Sequence, residues 1–321
     1  MTPQEKQYKQ TVNRIAIALL FFLLMFNVQG VILGVLTILL SPLSLVWYNV
    51  TYELISGLLY AATFCVPVAL FFAIPMGAPT QPMRLSYRMP RGTLVYVFFG
   101  LSVISVAARV NALLVSVFDY ASFSEEVLWD TATSSNYELI LLFFTLAVVP
   151  AFVEEFLFRG VVLSNLLPYG KGLAILGSAL LFGMMHQNIE QLFYATAAGV
   201  VLGWIYVETE SIWPCVLLHF CNNFRSVLQT AWIERLDAGP ANVVLYAMEG
   251  TILLLGVLSA VYLFLRSHKA HAVAPTVQCG GADAVAPVRC VRLFFTVPMI
   301  VFLALCAAQM LLLLLMALLL Y

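Results

Sequence analysis

Apolar residues occur in long runs along this chain of 321 residues, and polar residues fall mainly between the runs. About 20 helical residues cross a hydrocarbon core roughly 30 Å thick, so runs of this kind predict membrane helices. The predicted segments lie near 15–40, 53–76, 93–117, 138–167, 172–186, 190–207, 212–233, 243–265 and 293–320. The fifth and sixth are short, and we expect them to lie partly inside the bundle. The predicted fold is all-α: a polytopic transmembrane bundle of about eight or nine membrane helices, whose fourth to seventh helices form the functional core.

The distribution of Lys and Arg predicts the orientation of these helices. Basic residues precede the first run and lie between the second and third, the fourth and fifth, and the eighth and ninth. The loops 41–52 and 119–137 contain neither Lys nor Arg. Because cytosolic loops are enriched in positive charge, we expect a cytosolic N-terminus and an external C-terminus, although the acidic turn 208–211 departs from this pattern. The segment 268–287, rich in Ala, Val, Gly and Pro, predicts a flexible cytosolic loop before the last helix.

Composition supports the membrane class. Hydrophobic residues make up 63% of the chain and charged residues only 10%, whereas a soluble domain has about half and a quarter. The net charge of −1 gives no basic surface, so we expect no nucleic acid partner. We interpret the run 15–40 as a first span and not as a cleaved signal peptide, and, with no organelle-targeting segment recognised, we expect a bacterial plasma membrane. The six cysteines have no metal-site spacing and suggest no disulfide framework.

Ionisable residues within the middle helices require a reason, since a charge at a helix centre costs about 2.5–3.5 kcal/mol on insertion scales. The segment 150–160 carries Glu154, Glu155 and Arg159 in an otherwise apolar run. Glu155 and Arg159 are four residues apart, which predicts an ion pair on one helix face. Glu154 points about 100° away from Glu155. The pattern therefore predicts one neutralised carboxylate and one that is available for chemistry.

Two further polar groups follow on the next helices. Phe182 precedes His186 by one helical turn and is expected to provide an aromatic wall for its imidazole. His219 and Asn223 are also one turn apart and share a face. Helix lengths measured from the connecting loops allow Glu154, His186 and His219 to meet in the cytosolic half of the membrane.

A carboxylate and an imidazole on facing helices can activate water by general-base catalysis, while a His and an Asn can donate hydrogen bonds to an oxyanion. No serine or cysteine has a supporting His and Asp, so activated water is favoured over a covalent nucleophile. Glu154, His186 and His219 are alternatively three ligands for a catalytic zinc. There is no H-E-x-x-H motif, and we favour a metal-independent reaction without a cofactor.

The motifs Glu154-Glu155-x-x-x-Arg159, Phe182-x-x-x-His186 and His219-x-x-x-Asn223, in this order on successive apolar segments, resemble the CPBP family of CAAX proteases and bacteriocin-processing enzymes, also called Abi. The resemblance covers roughly 138–228. It implies that Glu154 and His186 activate the water, that His219 and Asn223 stabilise the oxyanion, and that Glu155 and Arg159 are structural support. Family members are integral membrane endopeptidases, some of which act on prenylated CAAX proteins and others in peptide maturation or bacteriocin immunity.

The expected organisation is thus N-terminal membrane helices in 1–137, a CPBP-like catalytic core in 138–228, and C-terminal membrane helices in 229–321 with a cytosolic loop near 266–292. The expected function is intramembrane hydrolysis of a peptide or protein substrate, either prenylated or a peptide precursor, at a site open toward the cytosolic half of the bilayer. A non-catalytic peptide-binding or immunity protein and a zinc-dependent peptidase remain alternatives. A proton-relay transporter is disfavoured because no inverted repeat is recognisable.

Overall fold

The computed structural model describes residues 1–73, 80–85, 89–117, 136–236, 238–271 and 287–320, and the described residues of the predicted apolar segments are mainly helical. The ninth predicted segment, 293–320, is interrupted at residues 295–296. The helices are α1 (Pro3–Leu40), α2 (Leu45–Ala73), α3 (Thr93–Val117), α4 (Asn136–Tyr169), α5 (Lys171–Met185), α6 (Ile189–Thr209), α7 (Trp213–Arg235), α8 (Ala238–His271), α9 (Pro287–Phe294) and α10 (Val297–Leu320). These residues contain no strand, and the all-α prediction is confirmed.

Seven of these helices are long and apolar enough to cross a membrane, namely α1, α2, α3, α4, α6, α8 and α10. With 15 residues, α5 is short, as expected. The expectation of a short sixth segment was wrong, because α6 continues to Thr209 and reaches 21 residues. Helix α7 has 23 residues, but it is not one of these seven because its polar side chains make it less apolar. Its polarity fits a helix that faces other helices and not lipid.

Two predicted loops fall largely outside the described residues. These are the acidic loop 119–137 and the segment 268–287. The prediction of a loop near 266–292 is wrong at both ends, because α8 continues through His271 and α9 begins at Pro287.

Helix α4 lies at the centre of the bundle, in contact with α2, α5, α6 and α7. The stretch 157–163 is buried at every consecutive position, whereas a helix facing lipid exposes one side. In the most apolar part of each span, 39% of the residues of α4 and 44% of those of α6 are buried, against 11% in α8. The polar residues of α4 are therefore enclosed by protein, and α8 lies at the periphery.

Two widened, π-helical stretches interrupt α4, at Phe143–Val148 and Phe156–Leu163, on either side of the regular turns Val149–Glu155. Such stretches disturb the backbone hydrogen-bond ladder and often occur at functional sites. Side-chain hydroxyl groups donate hydrogen bonds to two of the affected carbonyls. Ser164 donates to the carbonyl of Arg159 (2.8 Å), and Ser178 of α5 donates to the carbonyl of Phe158 (3.0 Å). These bonds fix the backbone on the C-terminal side of the two glutamates.

The tight connection between α5 and α6 determines where His186 lies. His186 is the C-terminal cap of α5, and the chain reverses through Gln187, whose φ of 54° is left-handed. Asn188 then caps α6 by accepting a hydrogen bond from the Glu190 amide at 2.9 Å. The imidazole is thus fixed at the end of a helix by two adjacent caps.

Glycine allows α5 and α6 to approach closely. A Cβ atom on Gly199 would lie 2.8 Å from the Cα of Ala179, a backbone atom that cannot rotate away. The carbonyl of Gly199 also accepts a hydrogen bond from Arg159. The spacing of the two helices therefore also sets the position of an arginine on α4.

We expect Gly199→Ala to lower the free energy of unfolding by about 1–3 kcal/mol, since α6 must move away from Ala179. Thermal unfolding in detergent measures the effect. Gly250→Ala, on α8, is the matched control, because a Cβ atom there meets nothing within 4 Å. Equal melting temperatures of the two variants would contradict the close-packing argument.

Candidate active site

Three helices bring the predicted site residues together. Glu154, Glu155 and Arg159 lie on α4, His186 ends α5, and His219 lies on α7. The segments carrying the glutamates and His219 pack directly against each other. Motifs that are up to 65 positions apart in the chain therefore share one buried region.

Glu155 is the hub of a buried charge network. Its Oε1 lies 3.0 Å from Nη1 of Arg159 and 2.7 Å from Nδ1 of His219, and both Glu155 and Arg159 have no exposed surface. The ion pair predicted from the four-residue spacing is present. Because a carboxylate only accepts hydrogen bonds, Nδ1 of His219 must carry a proton here. Nε2 is then the His219 nitrogen that faces the rest of the site.

Arg159 has two further contacts that hold it in place. Its Nη2 donates to the carbonyl of Gly199 at 3.3 Å, and its guanidinium lies over the ring of Phe182, 4.7 Å from the ring centre. A guanidinium so placed gains cation–π attraction in addition to its ion pair. Arg159 therefore connects α4 with both α5 and α6.

Glu154 has a different environment from its neighbour Glu155. Its Oε1 accepts a hydrogen bond from the hydroxyl of Tyr60 on α2. Its Oε2 is buried, has no hydrogen-bond partner among the described residues, and lies 3.9 Å from Nε2 of His219. Oε2 of Glu155 likewise has no hydrogen-bond partner among the described residues, but Glu155 is paired with the guanidinium of Arg159. No arginine or lysine among the described residues pairs with Glu154, whose cationic neighbour is a histidine.

His186 is oriented by its own helix. Nδ1 lies 2.8 Å from the carbonyl of Phe182, so Nδ1 carries the proton and Nε2 is the accepting nitrogen of the neutral ring. The ring of Phe182 stands edge-on to both imidazoles, with centre-to-centre distances of 5.1 Å to His186 and 6.0 Å to His219. The aromatic wall expected for His186 is present, and it contacts His219 as well.

Asn223 lies one turn beyond His219 and bonds to the backbone of α4. Its amide nitrogen donates to the carbonyl of Leu146 at 3.0 Å. Pro150 has no N–H to offer this carbonyl four residues before it, so Asn223 supplies the missing donor. One of the two amide hydrogens of Asn223 is used in this bond, and the other is not. Its Oδ1 accepts from Asn222, which in turn accepts from Tyr194 at 2.9 Å.

Sequence reasoning did not identify Tyr60. This tyrosine lies in an apolar run, 94 positions before Glu154, and nothing in its neighbourhood marks it as a site residue. The available signal is a spacing of polar residues on α2, where Asn49, Glu53 and Tyr60 fall on one helix face.

A zinc site would need side-chain atoms that are free to act as ligands. Glu155 is occupied by Arg159 and His219, which leaves Glu154 and the Nε2 atoms of the two histidines as donors. Among the residues that the structure describes, no group of three or more His, Cys, Asp or Glu side chains is arranged to hold a metal ion.

Comparison with known proteins gives two matches, one to a family of membrane endopeptidases and one to a single bacterial protein. Residues 136–225 match the family described as Type II CAAX prenyl endopeptidase Rce1-like. A protein of Bacillus subtilis (strain 168), named "Putative membrane peptidase YdiL", is 29% identical over 93 residues, which are 28% of this chain and 37% of that protein. The match thus spans little more than a third of the relative. No solved structure matches the chain.

The charge network predicts a specific pattern of stability. Arg159→Leu is expected to cost about 3–5 kcal/mol, because it leaves the buried carboxylate of Glu155 without its cation. Adding Glu155→Gln should recover part of that loss, since the uncompensated charge is then removed. Unfolding of the purified variants in detergent, followed by helical signal, provides the measurement. If the double variant is less stable than Arg159→Leu alone, the uncompensated charge is not the cause.

Proposed function

We propose that this chain, whose segment 136–225 matches the Rce1-like family of CAAX prenyl endopeptidases, is an integral membrane peptidase of the CPBP type that hydrolyses a peptide bond with water activated by Glu154. One observation supports this function most. Of two adjacent buried carboxylates, Glu155 is paired with Arg159, while Glu154 has no arginine or lysine partner among the described residues and lies 3.9 Å from His219. A buried carboxylate without such a partner is costly, so its presence in the bundle favours a chemical role.

Glu154 and His186 act together on the attacking water. Oε2 of Glu154 accepts one proton, and the unprotonated Nε2 of His186 accepts the second hydrogen bond and orients the water. The water oxygen bonds to the carbonyl carbon of the substrate as its proton passes to Glu154. When the tetrahedral intermediate collapses, the C–N bond breaks and Glu154 returns the proton to the leaving nitrogen.

His219 and Asn223 stabilise the oxyanion of that intermediate. With Nδ1–H held by Glu155, a protonated His219 presents Nε2–H as a charged donor. Asn223 offers the amide hydrogen that is not bonded to Leu146. Glu155, Arg159 and Phe182 keep these donors in place, and donors fixed before the reaction lose no energy in reorienting.

The substrate is a peptide or protein segment that reaches the site from the cytosolic half of a bacterial plasma membrane or laterally from lipid. Prenylated protein termini and unmodified peptide precursors are the two substrate classes to compare. The reaction proceeds without metal in this proposal, because Glu154 and His186 already provide a base and an orienting acceptor.

We expect the protein purified in detergent to cleave members of a panel of fluorogenic peptides, prenylated and plain, in the presence of a chelator. Glu154→Gln and His186→Ala should abolish this activity, because the first removes the base and the second removes the hydrogen-bond acceptor that orients the water. Glu210→Gln is the control, since Glu210 is an exposed carboxylate in the turn between α6 and α7 that pairs with Arg84 and lies outside the site. It should cleave at the rate of the wild type.

The other outcomes separate the alternatives. Loss of cleavage with chelator and its return with zinc would replace the metal-free mechanism by the zinc-dependent one. Activity that survives Glu154→Gln would contradict the peptidase site altogether. A folded wild type that cleaves no peptide but binds one would favour the non-catalytic peptide-binding or immunity role.

The two oxyanion donors should affect turnover more than binding. His219→Ala and Asn223→Ala are each expected to lower kcat by about 10²–10³-fold, because they remove a donor to charge that develops only in the transition state. Steady-state kinetics on the best peptide of the panel measure this effect. A rise in KM with unchanged kcat would show instead that these side chains bind the ground state.

A further inference from the structure

Tyr60 contacts the proposed base from a helix outside the segment that matches the family. It belongs to α2, whereas the match begins at residue 136. Its hydroxyl donates to Oε1 of Glu154. We infer that Tyr60 is a positioning residue for Glu154: it holds Oε1, so that Oε2 is the oxygen that takes the proton from water. This inference rests on the proposed function.

A carboxylate needs such a contact to react in one orientation. The terminal torsion of a Glu side chain has a broad preference, so the plane of its carboxylate rotates readily unless one oxygen is held by a hydrogen bond. In Glu154 the two are unlike, because Oε1 is bonded to Tyr60 while Oε2 has no partner among the described residues.

The position of Tyr60 is itself fixed by other contacts between α2 and α4. Asn49 donates to Glu138 at 2.7 Å, and Thr145 donates to Glu53 at 3.2 Å. These contacts and Tyr60 lie along one face of α2. They set the register of α2 against α4. In this register the hydroxyl of Tyr60 lies within hydrogen-bond distance of Glu154.

Close packing strengthens this register. A Cβ atom on Gly57 would lie 3.0 Å from the Cγ2 atom of Thr145, so the two helices approach closely one turn before Tyr60. The ring of Tyr60 packs on Phe64, with 5.0 Å between ring centres, and Phe64 packs on Phe22 of α1. Because the ring is held by these neighbours, Tyr60→Phe removes the hydroxyl and keeps the packing.

The test compares Tyr60→Phe with Tyr48→Phe, a control on the same helix. Tyr48 stacks on Tyr52 and lies twelve residues from Tyr60, roughly 18 Å along the helix. We expect Tyr60→Phe to lower kcat on the best peptide of the panel about 10- to 100-fold, with KM within about two-fold of wild type. Tyr48→Phe should leave both constants unchanged. A loss in kcat alone indicates a misaligned base, whereas a general structural defect would also change KM and the melting temperature.

A second substitution keeps the test informative if Tyr60→Phe unfolds. Replacing Tyr60 by 3-fluorotyrosine retains the shape of the ring and makes the hydroxyl a stronger donor. Because this residue still donates to Oε1 of Glu154, the positioning role predicts a kcat close to that of the wild type. A folded variant whose kcat falls at constant KM, although the donor is kept, would overturn a role that rests on donation.

Failure of this inference is distinct from failure of the proposed function. Wild-type cleavage with equal kcat in Tyr60→Phe would overturn the role of Tyr60 and leave the peptidase intact. A wild type that cleaves no peptide would overturn the proposed function, and the positioning role would fall with it.

Discussion

The buried ion pair between Glu155 and Arg159 is the interaction on which the rest of this site depends. A single charge at this depth is costly, and even a paired one requires further hydrogen bonds to compensate its desolvation. Arg159 obtains them from the carbonyl of Gly199 and the face of Phe182, and Glu155 obtains one from His219. These partners lie on α5, α6 and α7. The hydrogen bonds and the cation–π contact of one ion pair on α4 therefore connect four helices.

This arrangement explains how two neighbouring glutamates acquire different properties. Residues adjacent on a helix point about 100° apart, so the cation that satisfies Glu155 does not reach Glu154. His219 lies between them, with Nδ1 on Glu155 and Nε2 toward Glu154. The imidazole therefore connects the Glu155–Arg159 pair to the carboxylate of Glu154. In a low-dielectric interior such fixed dipoles act strongly, since no solvent has to reorient.

The sequence pattern predicted most of the helices, because a bilayer requires long apolar segments with internally satisfied backbones. It also predicted the Glu155–Arg159 pair, since that contact is local to one helix. The sequence pattern did not predict which side chains contact each other between helices. The bond from Asn223 to Leu146 joins residues 77 positions apart, and the bond from Tyr60 to Glu154 joins residues 94 positions apart. Nor does composition reveal the widened turns of α4, which arise where Pro150 and packing disturb the backbone.

Helix α2 provides a contact to Glu154 from outside the segment that matches the family. The segment that matches the family contains both glutamates, both histidines and Asn223, but no group within it bonds to Oε1 of Glu154 among the described residues. The carboxylate acquires its orientation from α2, and α2 acquires its register from polar contacts such as that of Glu53 with Thr145. A base whose geometry must be held to within about half an ångström needs rigid support. Under the proposed function, helices outside the motif-bearing core therefore contribute to the site, because the hydroxyl of Tyr60 on α2 fixes the plane of the Glu154 carboxylate.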